Sequence, residues 1–505
     1  MSCAPVKCSR FCLSIQHLWI LVILGGIFVF VNTHPIRPHD FWWHIAVGRE
    51  ILTTGQIPAV DIYSYTASGA PYPSYRMFWL MEIALYSIYH LGGAALVVFT
   101  QSLVVTGAYL FLFLTGLRLT QDWRVSALGV LFAAALGMND WNVRPQTITF
   151  LIGAVFVFLI HYIRSGGKRG WAAAFPLGML LWVNSHGSFA LGLLLIGLWL
   201  SQELWEVWVA RRTGALHAGK GYLKVAGAAF LASLGACLVN PSGLGIIQYL
   251  TTLGGNPVVQ RLVVEWAPPT FDTLAGGLFF IGLLLAALIL AASPRRPTIF
   301  QLGCFIGLAA ISLKTSRGII WFGLVMAPVL AEHSLALLSS LRKRASPSGG
   351  YRGSPMVNWL LAGSLAALAL ITLPWFKSWL PLPPAKAGLI SAETPVEATR
   401  ALLEIQPAGE VFHAMSFGSY LIWQAQPDYR VFVDGRIELY PEGVWLDYLQ
   451  ISNAQGDWAA RLENYGVHTL MLSRREQPAL VTAVRNDPRW ELAYEDDAAL
   501  IFTER

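Results

Sequence analysis

Apolar runs recur eleven times along the chain, at roughly 17–33, 95–117, 125–138, 146–163, 171–184, 187–207, 223–240, 273–292, 298–313, 318–337 and 356–376. A helix needs about 17 to 25 apolar residues to cross the hydrocarbon of a bilayer, because only intrahelical bonds can satisfy its backbone amides there. The runs at 125, 171 and 298 are short and read as spans extended by their flanks or as buried half-helices. This repetition leaves one architecture open: a polytopic α-helical membrane protein of about eleven spanning helices. The composition agrees, with 55% apolar and 13% charged residues and a mean hydropathy of +0.53.

The net charge of +6 conceals two dissimilar regions. Residues 1–376 hold 24 Lys/Arg against 11 Asp/Glu, and 377–505 hold 11 against 18. The first is expected to be the transmembrane domain, 377–384 a proline-rich linker continuing from Pro374, and 385–505 a soluble α/β domain. With the N-terminus in the cytoplasm, 17 of the 24 basic residues of the first region fall on inner loops, among them Lys7, Arg10, Arg118, Arg164, Arg295, Arg296, Lys343, Arg344 and Arg352. Seven are left outside: Arg37, Arg49, Arg76, Arg144, Arg261, Lys314 and Arg317. This asymmetry sets orientation and puts the C-terminal domain on the extracytoplasmic side. The count requires residues 78–91 to be an interfacial or re-entrant helix of the first outer loop, 34–94, with Glu82 against protein.

The same distribution accounts for the high pI without a nucleic-acid partner. No small-residue cleavage site follows the first apolar run, so a retained helix is expected. Cys3, Cys8, Cys12, Cys237 and Cys304 form no CxxC pair or disulfide framework. No glycine-rich phosphate loop is present, and nucleotide-dependent chemistry is not expected.

Polar clusters gather on the outer loops, whereas a solute transporter is expected to carry charges near the bilayer midplane. In His39-Asp40-Phe41-Trp42-Trp43-His44 a carboxylate stands between two imidazoles just beyond the first span. Asp40 has two readings: a general base for an incoming hydroxyl, or the cap of a helix running to about Thr54 with Trp42, Trp43, Ile45 and Ile51 turned toward lipid or protein. Gly55, Pro58 and Asp61 end that helix. His39 and His44 are five residues apart and share no helical face, so no metal pair is assigned. Arg144-Pro145-Gln146 starts a span. Its proline suits a helix start, and its guanidinium suits a phosphate or carboxylate. Lys314 and Arg317 either anchor to lipid headgroups or line a phosphate site. In Asn184-Ser185-His186-Gly187, the histidine either bonds a substrate hydroxyl or caps a hairpin. Glu265 is a second acid/base candidate.

In the C-terminal region the pattern predicts helices near 394–405, Ser416–Ala425, 455–465 and 477–486. Strands are predicted at Gly409–His413, Tyr429–Val433 and Thr469–Ser473, with a closing hairpin of Trp490–Tyr494 and Ala498–Thr503. Asp434-Gly435-Arg436 reads as a turn packed by its own salt bridge, or as one facing the membrane site.

Asp40-Phe41-Trp42-Trp43-His44, followed by Gly48-Arg49, Gly55, Ile57-Pro58, Asp61 and Ser64-Tyr65, resembles the first-loop signature of predicted bacterial GT-C-type membrane glycosyltransferases. The similarity continues through Arg144-Pro145-Gln146, Asn184-Ser185-His186-Gly187, Asn240-Pro241-Ser242-Gly243, Glu265-Trp266, Arg317 and Phe432-Val433-Asp434-Gly435-Arg436. The resemblance implies a bacterial inner-membrane enzyme that takes a sugar from a polyprenyl-phosphate donor and passes it to a glycan, lipid or protein acceptor on the extracytoplasmic face. It implies Asp40 as the base and His39, Trp43, His44, Asp61, Arg144, Gln146, Asn184, His186, Glu265, Lys314 and Arg317 as substrate-binding residues. Better-characterised branches often carry paired acids in this loop, whereas Phe41 follows Asp40 here, which leaves a divalent metal as an open option. The rival readings are a non-catalytic scaffold that binds a glycan or partner, and a transporter of lipid-linked sugar.

Overall fold

The structure, a computed structural model, describes residues 13–214, 220–248, 264–342 and 354–505. Lys7, Arg10, Arg261, Lys343, Arg344, Arg352, Cys3, Cys8 and Cys12 lie outside the described residues. A helix stands at each of the eleven apolar runs: α1 (Ile15–Thr33), the second half of α3 (Tyr75–Thr120), α4 (Trp123–Gly137), α5 (Thr147–Arg164), α6 (Ala174–Val183), α7 (Phe189–Arg212), α8 (Lys220–Ala236), α9 (Leu274–Ala292), α10 (Ile299–Lys314), α11 (Ile319–Arg342) and α12 (Pro355–Ile371). Six described helices are long and apolar enough to cross a bilayer unaided, including Ser316–Leu341, and the rest are shorter. Their starts carry ordinary signals. Asp122 accepts hydrogen bonds from the backbone N–H groups of Arg124 and Val125, and Thr298 forms a capping box with Gln301. The bundle core is aromatic and aliphatic, with Trp182 stacked on Trp321 at 5.3 Å between ring centres.

α2 (Asp40–Thr54) and most of residues 75–91 of α3 lie outside that core, which takes in Met77 and packs against Phe78. α3 bends at Gly92-Gly93, where Gly93 has a φ of +62°. Before the bend its side chains pack on α2 and the C-terminal region: Trp79 and Ile83 join one core cluster, Leu85 and Tyr89 another, and Glu82 is buried. Trp42, Trp43, Ile45 and Ile51 turn toward protein rather than lipid, Trp42 meeting Tyr420 edge to face at 4.9 Å.

The C-terminal region contains a four-stranded sheet of β1 (Glu410–His413), β2 (Val467–Ser473), β3 (Trp490–Glu495) and β4 (Ala499–Glu504) in the order β1-β2-β4-β3. β1 and β2 are parallel, and the other pairs are antiparallel. The predicted strand at Tyr429–Val433 does not join this sheet. Its Val431 forms an isolated parallel bridge with Ser64 of the first loop, through Val431 N–H to Tyr63 O and Tyr65 N–H to Val431 O. A helix at Glu442–Ser452 was not expected from the pattern. The sheet core runs on into the first loop, so that Trp43, Val47, Tyr63 and Tyr75 share one cluster with Phe412, Phe432, Leu470 and Ile501.

Candidate active site

The breaks at Pro35 and Pro38 end the exit from α1, and α2 begins at Asp40 with His39 as its cap residue. Asp40 is therefore the first residue of the helix, where the helix dipole favours a negative charge. Arg144 precedes the turn that starts α5. Glu265 and Arg317 occupy two one-turn 3₁₀ helices, Val264–Trp266 and Ser316–Gly318. Those turns are tied together by Thr315 Oγ1 donating to Glu265 O at 2.9 Å and Ser316 N–H donating to Ala267 O at 3.0 Å.

These elements bring the charges into one chain of ion pairs. Arg144 Nε lies 3.1 Å from Asp40 Oδ2, Arg144 Nη1 lies 2.5 Å from Glu265 Oε1, and Arg317 reaches Glu265 Oε2 through Nε and Nη2 at 3.0 Å each. The pairs border a cavity of about 340 Å³, lined by nine of the expected site residues: His39, Asp40, Trp43, His44, Arg144, Gln146, His186, Glu265 and Arg317. The far wall comes from the C-terminal region, through Met415, Ser416, Ser419, Gly435, Ile437 and Glu438. A Cβ at Gly435 would stand 2.7 Å from Asp40 Oδ1, so a larger residue there displaces that carboxylate.

A second cavity of about 230 Å³ shares Phe78, Gln146, His186, Trp266 and Arg317 and extends between Phe150, Leu191 and Trp321. A third, a groove of about 600 Å³, is lined by Trp79, Leu80, Leu177, Leu180, Leu181, Asn184, Leu238, Val239, Asn240 and Pro241. Its wall adjoins the first cavity along the chain at Phe78-Trp79 and near Asn184-Ser185-His186.

Three expected site residues do not reach the first cavity. Asp61 is fully buried, bonded to Ser64 and, at 2.5 Å, to Arg436 Nη1, and so joins the first loop to the C-terminal region. The side chain of Asn184 accepts from Trp79 Nε1 and donates to the carbonyls of Leu180 and Val239, placing it on the groove. Lys314 ends α10 with an exposed side chain. His186 does cap its turn, because its Nδ1 accepts from Ser188 N–H at 3.1 Å, yet it also faces the cavity.

Sequence reading missed Tyr72, Phe78, Ser416, Ser419 and Glu438. Glu438 Oε1 accepts from Tyr72 and Ser74 hydroxyls at 2.9 and 3.0 Å. Glu438 sits in the one-turn 3₁₀ helix Ile437–Leu439, and nothing in its spacing distinguishes it from a solvated surface acid.

Burial opposes ionisation of Glu265, but Arg144 and then Arg317 outweigh it and hold its carboxyl at about 2. Burial, then the charge of Glu265, pushes Asp140 up to about 7 against the pull of Arg144 and Arg317. Burial followed by repulsion from Arg317 and Arg144 lowers His186 to about 3, so its ring is neutral.

No family model matches the chain, and no curated protein matches it. Among solved structures, the archaeal oligosaccharyltransferase AglB from Archaeoglobus fulgidus, in complex with an inhibitory peptide and a dolichol-phosphate, is similar with a TM-score of 0.54 at 11% identity, covering 97% of this chain and 74% of that one. The Archaeoglobus fulgidus oligosaccharyltransferase in complex with Zn and sulfate gives a TM-score of 0.50 at 12% identity, over 96% and 73%. This likeness shows a shared fold: a multi-pass helical membrane architecture with a small C-terminal sheet domain.

Proposed function

We propose that this chain is a glycosyltransferase that moves a sugar from a polyprenyl-phosphate carrier to an acceptor hydroxyl on the extracytoplasmic face of the bacterial inner membrane, with inversion at the anomeric carbon. The observation that carries this reading is the convergence of Asp40, Arg144, Glu265 and Arg317 on one cavity between the apolar bundle and the C-terminal region. The adjoining apolar groove suits a polyprenyl chain, and the dolichol-phosphate held by the similar oligosaccharyltransferase supports that class of carrier.

In the proposed step the acceptor oxygen attacks the anomeric carbon while the bond from that carbon to the phosphate oxygen breaks. The acceptor proton passes to Asp40, and the phosphate departs on the carrier as an anion. Asp40 commits Oδ2 to Arg144, and Oδ1 stays uncovered because residue 435 is a glycine. The carboxylates engage Nε and Nη1 of Arg144 and Nε and Nη2 of Arg317, so Arg144 Nη2 and Arg317 Nη1 are the nitrogens offered to phosphate oxygens. Arg144 already supplies positive charge between Asp40 and Glu265. Among the described residues no three His, Cys, Asp or Glu side chains gather into an all-protein metal site.

Asp40→Asn keeps the shape and removes the base. In proteoliposomes supplied with a panel of radiolabelled undecaprenyl-phosphate sugars, turnover is expected to fall on the order of 10²- to 10⁴-fold with the melting temperature retained. Undiminished transfer by this variant would sink the reading, and a scaffold would keep its cellular phenotype. EDTA is expected to leave turnover unchanged; loss restored by a divalent cation would reassign the charge balance to a metal.

A further inference from the structure

Two imidazoles line the cavity beside Arg144, and each has one ring nitrogen already engaged. Ser188 N–H donates to Nδ1 of His186 at 3.1 Å, and a backbone amide can only donate. The neutral ring of His186 must therefore carry its proton on Nε2. His44 Nδ1 lies 3.0 Å from Glu82 Oε1, with both residues buried. Phe78 stands against both rings, at 5.3 Å from His44 and 5.6 Å from His186.

The Glu82 contact is built by a close crossing of two helices. Gly48, one turn beyond His44 on α2, lies so near α3 that a Cβ there would be 2.1 Å from the carbonyl oxygen of Glu82. The other carboxyl oxygen of Glu82, Oε2, is buried with no hydrogen-bond partner among the described residues. A carboxylate stranded in this way would leave charge unsolvated, so the group keeps its proton. Burial, the first cause in each case, holds Glu82 well above the usual carboxyl range and His44 well below the usual imidazole range. A neutral carboxyl has one O–H; on Oε2 it would be buried with no acceptor, so it sits on Oε1 and donates to Nδ1 of His44. Nδ1 is then a lone pair, and the ring proton sits on Nε2. With Nδ1 taken by Glu82, Nε2 is the ring nitrogen left to His44, which lines the cavity.

We propose that Glu82 and the Ser188 amide lock His44 and His186 in the Nε2–H form, giving the cavity a pair of uncharged donors that bind an oxygen of the ligand. The proposal rests on the glycosyltransferase reading for the ligand, whose phosphate and sugar oxygens are acceptors of this kind. Uncharged donors complement Arg144 and Arg317: they orient oxygen without adding to the charge that Asp40 and Glu265 already balance.

The test is ¹⁵N spectroscopy of the full chain, labelled at histidine and held in nanodiscs, with His44 and His186 assigned from His44→Gln and His186→Gln. Both rings are expected to be neutral with the proton on Nε2. An Nδ1–H ring or an imidazolium at His44 overturns the lock, and this measurement needs neither turnover nor a folded Glu82 variant. Glu82→Gln can donate to Nδ1 through its amide and is expected to keep the signature and turnover, whereas Glu82→Leu is expected to lose the single tautomer. A Gln variant as impaired as the Leu variant would point to a proton-transferring carboxyl and overturn the proposal. Undecaprenyl phosphate, used as the probe, is expected to shift both Nε2–H signals. Correct tautomers with no shift would overturn the ligand-binding role while Asp40-dependent transfer still stood; loss of that transfer activity altogether would count against the glycosyltransferase reading.

Discussion

Arg144 holds two carboxylates from distant parts of the chain, one from the first loop and one from the turn at Val264–Trp266. Its substitution acts on both at once. Glu265 has a folded pKa of about 2, below its ordinary value, so its stabilising contribution is complete above about 4.5 and is lost as pH falls toward 2. Asp140 has the opposite sign. Its folded value of about 7 means that the unfolded chain releases this proton from about pH 4 upward while the folded chain retains it, so stability declines as pH rises from about 4 to 7. Asp140→Asn is expected to flatten that decline in melting temperatures measured across pH 4 to 8, and an unchanged slope would remove Asp140 as its source. Single residues also show what the sequence could convey. Asp40, Arg144 and Arg317 were legible because a charge at the end of an apolar run is conspicuous. Lys314 was equally conspicuous and Asp61 was named by the family resemblance, but Asp61 serves Arg436, a partner 375 positions away. Pattern gives no warning of such a pairing.

At the scale of elements, the turn at Asp434-Gly435-Arg436 ties the first loop to the C-terminal region. Arg436 is fully buried; it bonds Asp434 with Nε and Nη2 at 2.9 and 2.5 Å, and Asp61 and Tyr75 with Nη1 at 2.5 Å. The expected salt bridge within the turn is present, extended by Asp61 into a buried cluster. Removing one member of such a cluster leaves unpaired charge inside the protein and costs about 3–5 kcal/mol. Arg436→Leu is expected to lower the melting temperature and to open the first loop to limited proteolysis between Gly55 and Ser74. A cleavage pattern identical to the parent would show that the clamp does not hold the loop. The β-rich character of Tyr429–Val433 was readable from its residues; its pairing with Ser64 was not, because edge choice depends on which backbone lies nearest in the folded chain.

For the whole molecule, polar chemistry separates to opposite ends of the bundle. One end carries the cavity. The other carries Arg164 paired with Glu203 and Glu206, and Arg295 paired with Glu332. Loop charge predicts that the second end faces the cytoplasm. In a background without Cys3, Cys8 and Cys12, Thr53→Cys is expected to react with an impermeant maleimide on intact spheroplasts, and Arg296→Cys only after lysis; the reverse pattern would invert the orientation. The helices at the apolar runs were legible because the bilayer imposes length and polarity on each one separately, whereas the cavity wall formed by Ser416, Ser419 and Glu438 depends on tertiary docking. That docking bears on synthesis. Trp43 and Tyr75 are made before Phe432 and Ile501, with which they share one packed cluster. A nascent chain stalled before residue 433 can thread its early helices and still lack the Gly435 wall, so the cavity closes only once the C-terminal region has been made and docked.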